Sequence, residues 1–550
     1  MLRDFRDAPE GCQFETDVCI VGAGAAGIAI AHSLIGMRLQ VALIESGGVS
    51  YEAATQGLYE GASVGDRWGV ELTRTRLRWF GGSTNEWGRG CRPLDGIDFD
   101  ERSWVPHSGW PISPAQLSSY YEKARTFCGL PSLPFEAHGL LQKLRPQLPA
   151  LDPTKLNHCF SMLSFEGGFG KAYFQKLQAA SNLDVLLHAN LVELVPNASG
   201  NLIRKALIQT LDGKKGSIRA RWFILACGGI ENARMLLLSD TVAPNGLGNS
   251  YDVVGRYFMD HPNVNCATIK GTSANSIVIP YVRDPSRRRF PICPIIQLSE
   301  ELQERRKVLN GRFQLIVRDD GGEPQGVQAL RSLKQAGLQG ASLNNLGRQA
   351  FRVAKDLHTV VPAIFRFLCD RPVSPTSKVF LEAFFEQAPN PGSRIRLGQQ
   401  RDALGLRKVE LDWRLTDLDC YTHREGAVQF IRELQRHFSG QIRLADWLQS
   451  DSETRAAPRG TAHHMGTTRM SSDPRLGVVD HNCRVYGLDN LYMAGSSVFP
   501  TSGWAFPTYT IIALALRLSN HILDRVNSDM TILPSSVMKT DAVAPSRGAL

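Results

Sequence analysis

The N-terminal part of the chain alternates short, wholly apolar runs with an alanine-rich segment. In "DVCIVGAGAAGIAIAHSLIGMRLQVALIES", the apolar residues 18–21 and 41–44 each predict a buried parallel strand. The alanine-rich stretch between them, to about Ile35, predicts a helix. Strand, helix and strand in this order form the βαβ unit on which many nucleotide sites are built.

A glycine-rich turn joins the first predicted strand to the helix. Gly22 allows the tight turn, Gly24 lets the backbone approach a pyrophosphate, and Gly27 lets the helix pack on the strand. The free N–H groups at the start of the helix favour phosphate. Glu45 lies 23 residues after Gly22 and can accept hydrogen bonds from ribose hydroxyls, whereas it would repel the 2′-phosphate of NADP. The whole unit predicts dinucleotide binding.

Three later segments add one glycine-rich loop and two strand–turn–helix patterns. Residues 77–99 form a glycine-rich loop, and residues 223–226 are an apolar run followed by a Gly–Gly turn and a helical pattern. "NLYMAG" leads through small residues to Pro507 and a further predicted helix. On their own, the last two are additional βα units. Between residues 263 and 455, "EAFFEQAPNPGSRIRLG" and "KVELDWRLT" are β-rich runs separated by turn residues.

Composition narrows the class of protein without giving a function. A length of 550 residues suggests two domains or one domain with large insertions, and 43% hydrophobic with 21% charged residues is typical of soluble globular proteins. The net charge of +9 does not identify a nucleic-acid binder. Eleven scattered cysteines without a CxxC motif, and an N-terminus without an apolar signal segment, favour a cytoplasmic protein with reduced thiols. No apolar run resembles a membrane span.

Six motifs, taken together, resemble the glucose–methanol–choline (GMC) oxidoreductase family. They are "VGAGAAG", "GGSTNEWG", "ACGGIENARMLL", "VGRYFMDHP", "HHMGTTRM" and "LYMAGSSVFPTSGWAFPT", in this order. The chain looks most like the bacterial branch of sugar and alcohol dehydrogenases and pyranose-oxidase relatives. The resemblance implies an α/β fold (α+β overall), with a discontinuous, doubly wound FAD domain and a substrate domain of antiparallel sheet and helices.

The resemblance also implies a division of the chain. The FAD domain would comprise residues 14–110, 180–262 and 456–527, the last with the catalytic motif. Residues 111–179 would be a substrate-domain or connecting segment, and residues 263–455 the substrate domain. Residues 528–550, rich in Ser, Ala, Pro and Thr, are predicted to be a disordered tail.

By resemblance, the cofactor is FAD and no metal is expected. Some relatives attach FAD covalently through a histidine just before the tryptophan of "GGSTNEW", but this chain has Glu86 there, so FAD is expected to bind noncovalently. The expected FAD-binding residues are Gly22, Gly24, Ala25, Ala26, Gly27, Glu45, Ser46, Gly81, Gly82, Asn85, Trp87, Gly88, Leu191, Val192, Ala226, Cys227, Gly228, Gly495, Ser496, Pro507 and Thr508.

Two adjacent histidines, His463 and His464, precede Gly466. A histidine pair by itself is more often explained by packing. In the family, however, a histidine three residues before this glycine faces the flavin, so the resemblance makes His463 the catalytic base. A neutral imidazole can take the hydroxyl proton while a hydride passes to flavin N5. His464 is offset by one residue and is expected to point away from the flavin, packing or hydrogen-bonding locally.

One residue departs from the family pattern. Many members have His or Asn where this chain has Phe506, and a phenyl ring makes no conventional hydrogen bond to a substrate hydroxyl. Tyr509 or Thr508 could supply the missing polar group, although Thr508 could instead face the flavin pyrimidine. Phe506, His464 and Tyr509 are therefore the expected substrate-pocket residues.

The resulting hypothesis is FAD-dependent oxidation of an alcohol group on a sugar, glycoside or polyol-like natural product. Two alternatives remain. One is a redox-neutral, lyase-type reaction, which Phe506 leaves open. The other is a noncatalytic FAD-bound scaffold, against which His463 argues. The electron acceptor could be oxygen, a quinone or a redox protein, and the sequence does not choose among them.

Residues 326–371 include a basic, helical pattern. Leu346, Ala350, Phe351, Ala354 and Leu357 fall at helical spacing, and basic residues occupy the opposite side: Arg348, Arg352 and Lys355. Two interpretations are open. The segment is either a substrate-domain helix with a solvated basic face, or a lid or helix that contacts a membrane or a partner.

Overall fold

The computed structural model describes residues 1–65, 71–135, 148–281, 292–319, 325–330, 333, 343–368, 377–449 and 455–532. The strands are β1 Leu2–Asp4, β2 Cys12–Val21, β3 Val41–Ile44, β4 Gly61–Ser63, β5 Gly90–Cys91, β6 Leu156–Leu163, β7 Leu183–Leu187, β8 Asn190–Pro196, β9 Ile203–Gln209, β10 Lys215–Leu225, β11 Asn263–Lys270, β12 Ile292–Leu298, β13 Gly311–Asp319, β14 Ser377–Phe385, β15 Arg394–Arg401, β16 Arg407–Asp412, β17 Ile442–Leu444 and β18 Leu491–Met493.

The helices with defined bounds are α1 Ala25–Ser33, α2 Ala53–Gly57, α3 Pro114–Phe127, α4 Gly168–Ala179, α5 Gly228–Leu238, α6 Asn275–Val278, α7 Glu300–Arg306, α8 Leu343–Lys355, α9 Leu357–Leu368, α10 Asp417–His437, α11 Asp446–Gln449 and α12 Pro507–Ile532. Among the described residues, no helix combines the length and apolar character needed to cross a bilayer.

The N-terminal apolar runs form the centre of an eight-stranded sheet, in the order β1-β7-β3-β2-β10-β9-β8 with β18 also on β10. Strands β1, β7, β3, β2, β10 and β18 pair in parallel, while β9 and β8 are antiparallel. The predicted strand at residues 41–44 is confirmed, and the strands predicted at 18–21 and 223–226 are the C-terminal parts of the longer β2 and β10. The predicted α/β class is confirmed.

Side chains of the central strands alternate between two apolar layers. Val18 and Ile20 of β2 point to the layer that contains α1 and α12, whereas Cys19 and Val21 point to the opposite layer, which contains α5. All four are essentially inaccessible to solvent. Because both faces are covered, these strands are continuous apolar runs, as parallel strands require. The C-terminal segment completes this domain, since β18 pairs with β10 and α12 packs against α1 and α3.

The start of α1 depends on two glycines. Gly22 has φ of +100°, which favours glycine, and its N–H donates to the carbonyl of Ile44 in β3. A Cβ on Gly27 would lie 1.9 Å from the carbonyl oxygen of Gly22, so α1 can pack this closely on the turn only without a side chain there. The glycine spacing thus fixes the entry of the helix onto the sheet.

A second, seven-stranded sheet has the order β17-β11-β14-β13-β12-β6-β5 and is antiparallel throughout. Helix α10 packs on it through Phe430, whose ring stacks on Phe313 at 4.3 Å. Strands β5 and β6 come from outside residues 263–455, so the sheet extends beyond the range assigned to the substrate domain. The β-rich run 394–412 does not join this sheet but forms a separate one, β15-β16-β4. The division into domains by residue number stays a prediction.

Two predictions on the less regular segments can now be compared with the structure. The basic segment does contain helices, α8 and α9, but Phe351 and Leu357 of the predicted apolar side are 69% and 51% exposed. The predicted disordered tail begins too early, because α12 continues to Ile532 and Ser528 hydrogen-bonds to the carbonyl of Asp524. The rest of that predicted tail lies outside the described residues.

Gly27→Ala is expected to lower the free energy of unfolding by about 1–3 kcal/mol, because the new methyl group must displace α1 from the turn. Gly57→Ala in α2 is the matched control, since a Cβ there meets nothing within 4 Å. Urea unfolding of both variants measures the difference. Equal unfolding midpoints for the two would contradict the role given to the close contact at Gly27.

Candidate active site

A cavity of ≈ 510 Å³ lies at the carboxyl ends of β2, β3 and β10, where Val21, Ile44 and Ala226 contribute to its wall. This volume lies in the range of ligand sites, roughly 300–1,000 Å³. The seven-stranded sheet contributes Arg312 of β13 and Phe384 of β14 to the wall. The cavity therefore lies between the two large sheets, at the edge where a doubly wound sheet binds its ligand.

The parallel sheet forms a wall of backbone groups and small residues. A Cβ on Gly24, at the start of α1, would meet nothing within 4 Å, so the helix end is open towards the cavity. Gly82 lies close to Gly24, since a Cβ added to Gly82 would lie 3.1 Å from Gly24 Cα. Glu45 accepts hydrogen bonds from the N–H groups of Ala23 at 2.9 Å and Gly47 at 3.0 Å, so it also holds the two loops together. Such a wall suits a phosphate-bearing ligand.

The structure brings most of the residues predicted from sequence to this cavity. Of the expected cofactor residues, those that line it are Gly22, Gly24, Ala25, Ala26, Glu45, Ser46, Gly82, Trp87, Gly88, Leu191, Ala226, Cys227, Gly228, Gly495, Ser496, Pro507 and Thr508. His463, His464 and Phe506 line it as well.

Five predicted residues do not line the cavity. Gly27 contacts the turn at Gly22, and Gly81 donates its N–H to the carbonyl of Ala23 at 2.8 Å. The amide of Asn85 donates to the carbonyls of Phe80 and Gly82, so it stabilises the 81–85 turn. Val192 falls at an irregularity in the β8–β9 pairing, which places Leu191 rather than Val192 at the cavity.

Tyr509 is the fifth, and its assignment to the substrate pocket is corrected. Its hydroxyl donates to the carbonyl of Tyr121 at 2.6 Å, and its ring stacks on Tyr121 at 5.2 Å in the core beneath α12. In this helix Thr508 and Ile511 face the cavity, and helical spacing turns the intervening Tyr509 away. Tyr509 therefore cannot replace the polar group that Phe506 lacks.

The hydrogen bonds around His463 determine which ring nitrogen is free. Its Nδ1 lies 3.0 Å from Thr461 Oγ1 and 3.0 Å from Nδ1 of His261. Thr461 donates its proton to Asp260, and His261 Nε2 faces the carbonyl of Ser502 at 3.4 Å, so both neighbours accept at His463 Nδ1. His463 therefore carries its proton on Nδ1, and Nε2 keeps a free lone pair.

Burial, with the nearby positive charge of Arg312, lowers the pKa of His463 to about 3. Burial and the neighbouring His463 lower the pKa of His261 to about 3 as well. Both rings are therefore neutral near pH 7. A neutral imidazole with a free Nε2 on a cavity wall can accept a proton from a bound hydroxyl.

His464 and Phe506 line the cavity on either side of His463. His464 packs its ring against Phe258 at 5.6 Å, but its Nε2 has no hydrogen-bond partner among the described residues, and the residue lines the cavity. It therefore packs locally without turning wholly away. Phe506 lies edge-on to His463, with ring centroids 6.1 Å apart, and a Cβ on Gly90 would lie 2.6 Å from its ring.

Sequence reasoning missed several charged residues of the cavity. Arg76 pairs with the buried Glu231 at 2.7 Å and Arg78 lies 3.4 Å from the same carboxylate. Burial raises the pKa of Glu231, but the positive charges of Arg234, Arg76 and Arg78 outweigh this effect and lower it to about 2. The clustered "RTRLR" was the available signal for Arg76 and Arg78. The only sequence signal for Arg312 was an isolated basic residue in an apolar strand, and Thr461 had no sequence signal.

The cavity also fits FAD in its polar groups. Five buried side-chain atoms of lining residues have no partner within the described ranges: Thr75 Oγ1, Arg78 Nε, Trp87 Nε1, Arg312 Nε and His464 Nε2. Native proteins rarely leave such groups unsatisfied, so a polar ligand is expected there. By contrast, no group of three or more His, Cys, Asp or Glu side chains in the described part of the chain is arranged to hold a metal ion.

Comparisons with known proteins agree with this geometry. Residues 389–515 match the family model described as GMC oxidoreductase. The chain is 24% identical to 6'''-hydroxyparomomycin C oxidase of Streptomyces lividus, over 93% of this chain and 92% of that protein. It is also 24% identical to paromamine 6'-oxidase of Streptomyces fradiae, over 91% and 90%.

Among solved structures, formate oxidase of Aspergillus oryzae RIB40 has a similar fold. The TM-score is 0.55 with 18% sequence identity, and the match covers 95% of this chain and 100% of that one. Residues 389–515 are therefore similar to GMC oxidoreductases, the chain over nearly its full length is similar to oxidases, and it shares the fold of formate oxidase.

Proposed function

We propose that the protein oxidises an alcohol group of a sugar, glycoside or polyol-like molecule, with His463 as the base that accepts the hydroxyl proton. FAD, when bound, supplies the hydride acceptor at flavin N5. The observation that carries the proposal is the free Nε2 of a neutral imidazole on the cavity wall. The oxidase relatives, named for a paromomycin derivative and paromamine, support a small-molecule substrate of this class.

One hydrogen-bond chain beside His463 offsets part of the effect by which burial and the charge of Arg312 lower its pKa. When Nε2 takes a proton, Nδ1–H still donates to Thr461, whose hydroxyl donates to the Asp260 carboxylate at 2.8 Å. A carboxylate at the end of this chain of hydrogen bonds favours the imidazolium. Thr461 and Asp260 are thus positioning residues that act through His463.

The alternative is a redox-neutral, lyase-type reaction. Phe506 favours it, because the wall beside His463 has a phenyl ring where a hydrogen-bonding partner for the substrate hydroxyl would be expected. Anaerobic mixing separates the alternatives: an alcohol that is oxidised bleaches the bound flavin, whereas a lyase substrate or an interaction partner of a scaffold leaves it oxidised. The electron acceptor, whether oxygen, a quinone or a redox protein, stays open.

We also infer a cytoplasmic location and a possible role for segment 326–371 as a contact with a membrane or a partner. The support for the contact is local. Three apolar side chains of α9 recur on one face and are exposed: Leu357 at 51%, Val361 at 57% and Ile364 at 42%. An exposed apolar stripe next to basic residues suits an interfacial helix.

FAD is expected to be noncovalent, because the residue before Trp87 is Glu86, a carboxylate that lines the cavity and forms no histidyl link. Precipitation of the protein with acid should release the yellow chromophore into the supernatant. Colour that stays with the pellet would show a covalent bond and refute this expectation.

His463→Ala should slow anaerobic flavin reduction by about 10²–10⁴-fold, because removal of a general base typically costs that much, while FAD stays bound. His464→Ala is the matched control one residue away and should act mainly through stability or positioning. Stopped-flow absorbance with a reducing alcohol measures both. A large loss for His464→Ala with near-normal reduction by His463→Ala would reverse the assignment.

His261→Gln should make stability less sensitive to acid. The folded pKa of about 3 lies below the unfolded value near 6.5, so the unfolded state binds the proton first and stability falls as pH drops below about 6.5. The slope is about 1.4 kcal/mol per pH unit for each such histidine.

Urea unfolding at pH 7.5 and 5.5 measures this change. His423→Gln is the control, because burial also lowers the pKa of His423 to about 3 but the residue lies on α10, away from the cavity. Both variants should flatten the pH dependence of stability, and only His261→Gln should alter flavin reduction. Unchanged slopes in both would contradict the neutral, buried state of these rings.

A further inference from the structure

Arg312 is a buried cation on the cavity wall without an anionic partner. It is 4% exposed, and its one hydrogen bond runs from Nη1 to Gln314 Oε1 at 3.1 Å. Its Nε has no partner, and none of the described carboxylates forms an ion pair with it. Several other buried arginines have a carboxylate partner, such as Arg102 with Glu386 and Arg76 with Glu231, whereas Arg469 also has none among the described residues. An unpaired buried charge is costly, so its retention calls for a ligand.

The nearest acid on the neighbouring strand does not serve this purpose. Glu382 of β14 already binds Arg318 at 2.8 Å and Arg459 at 3.1 Å, and it accepts from the amide of Asn263 at 3.2 Å. Burial lowers the pKa of Arg312 to about 9, so the guanidinium is still charged at neutral pH. The positive charge is therefore available to something in the cavity.

Aromatic rings surround the guanidinium. Its central carbon lies 3.9 Å from the Phe384 ring centroid, 4.6 Å from that of Phe506 and 6.0 Å from that of Trp504. Such contacts stabilise the cation but satisfy none of its N–H donors. A guanidinium held in this way presents its donors at its edge, and two parallel N–H groups match the two oxygens of a carboxylate.

Arg312 and His463 both contact Phe506, the residue that replaces the usual polar anchor. A group bound to Arg312 would therefore lie beside the base. FAD phosphates are expected elsewhere, at the start of α1 on the parallel sheet, whereas Arg312 belongs to β13 of the other sheet. A neutral hydroxyl would leave the charge of Arg312 unbalanced, and a permanent anion on the substrate would balance it.

We propose that Arg312 binds the carboxylate of the substrate, so that the enzyme acts on hydroxy acids such as sugar acids, with the reacting hydroxyl directed to His463. This assignment rests on the proposed alcohol oxidation. Oxidation removes the hydroxyl proton to His463 and a hydride to FAD, and leaves the carboxylate unchanged on Arg312. The aromatic contacts of Phe506 thus serve the anion site rather than the reacting hydroxyl.

The first test measures binding without turnover. Acetate, with acetamide as its neutral match, is titrated into the FAD-bound wild type and Arg312→Met, and the thermal unfolding midpoint is followed. Acetate should raise the midpoint of the wild type and bind at least about 10-fold more weakly to Arg312→Met, because charge-assisted hydrogen bonds are lost. Arg318→Met, on the same strand but outside the cavity, is the matched control and should bind acetate like the wild type.

Arg312→Met should also fold, since it removes an unpaired buried charge, and the ligand-free variant should unfold at a midpoint no lower than that of the wild type. Arg312→Lys keeps the charge without the two-pronged geometry and should recover only part of the acetate binding. Equal acetate binding by wild type and Arg312→Met would overturn the anion site.

The second test uses matched substrates under anaerobic conditions: glycolate against ethylene glycol, and D-glucuronate against D-glucose. Flavin reduction by the acids should lose about 10- to 100-fold in kcat/KM in Arg312→Met, with little change for the neutral partners. An equal loss for acids and neutral alcohols would place Arg312 on the reacting oxygen and overturn the carboxylate assignment. Reduction by neutral sugars alone would refute it while alcohol oxidation stands. If no alcohol reduces the flavin yet acetate still binds through Arg312, the proposed oxidation fails and the anion site stands.

Discussion

The cavity wall around His463 depends on one buried carboxylate. Asp260, which is 1% exposed, accepts hydrogen bonds from the backbone N–H groups of His261, Thr461, Ala462 and His463, and from the Thr461 hydroxyl. These partners come from two segments about 200 residues apart. A buried carboxylate is stable only when its oxygens are satisfied, so the two segments must meet here for either to be ordered. The hydrogen bonds to Asp260 therefore set the orientation of His463.

The arginines on the two walls of the cavity differ in whether a carboxylate lies beside them. On the side of the parallel sheet, the cations Arg76 and Arg78 share the carboxylate of Glu231, and backbone groups form the rest of the wall. On the side of the antiparallel sheet, Arg312 is balanced by nothing in the described chain. The two walls therefore differ in charge, because the first has a carboxylate beside its arginines and the second has an arginine without one. Under the functions proposed above, the first wall would hold the cofactor and the second would select the substrate.

Local sequence spacing predicted those parts of the site that depend on local geometry. The glycines of the β2–α1 turn and the acid after β3 have positions set by their own chain neighbours, so their patterns were informative. The assignment of His463 came instead from the family resemblance, because a histidine pair alone favours packing. Residues whose role depends on a partner from a distant strand were not predictable. Arg312, Thr461 and His261 come together only when β13, the 459–465 segment and the residues just before β11 meet. The prediction that Tyr509 lines the substrate pocket was wrong for a related reason. The position of Tyr509 along α12 turns its side chain to the core, where it hydrogen-bonds to Tyr121.

The pairing of β18 with β10, and of α12 with α1, has a consequence for how the protein is made. Strands β2 and β3 are synthesised long before β18 and α12, which complete the same domain. Until then, the face of α1 that α12 covers is exposed. Such long-range closure is slow and leaves apolar surface exposed on the nascent chain. The soluble yield on overproduction should therefore depend on protection of this apolar surface during synthesis, and added chaperones should raise it more than added cofactor does.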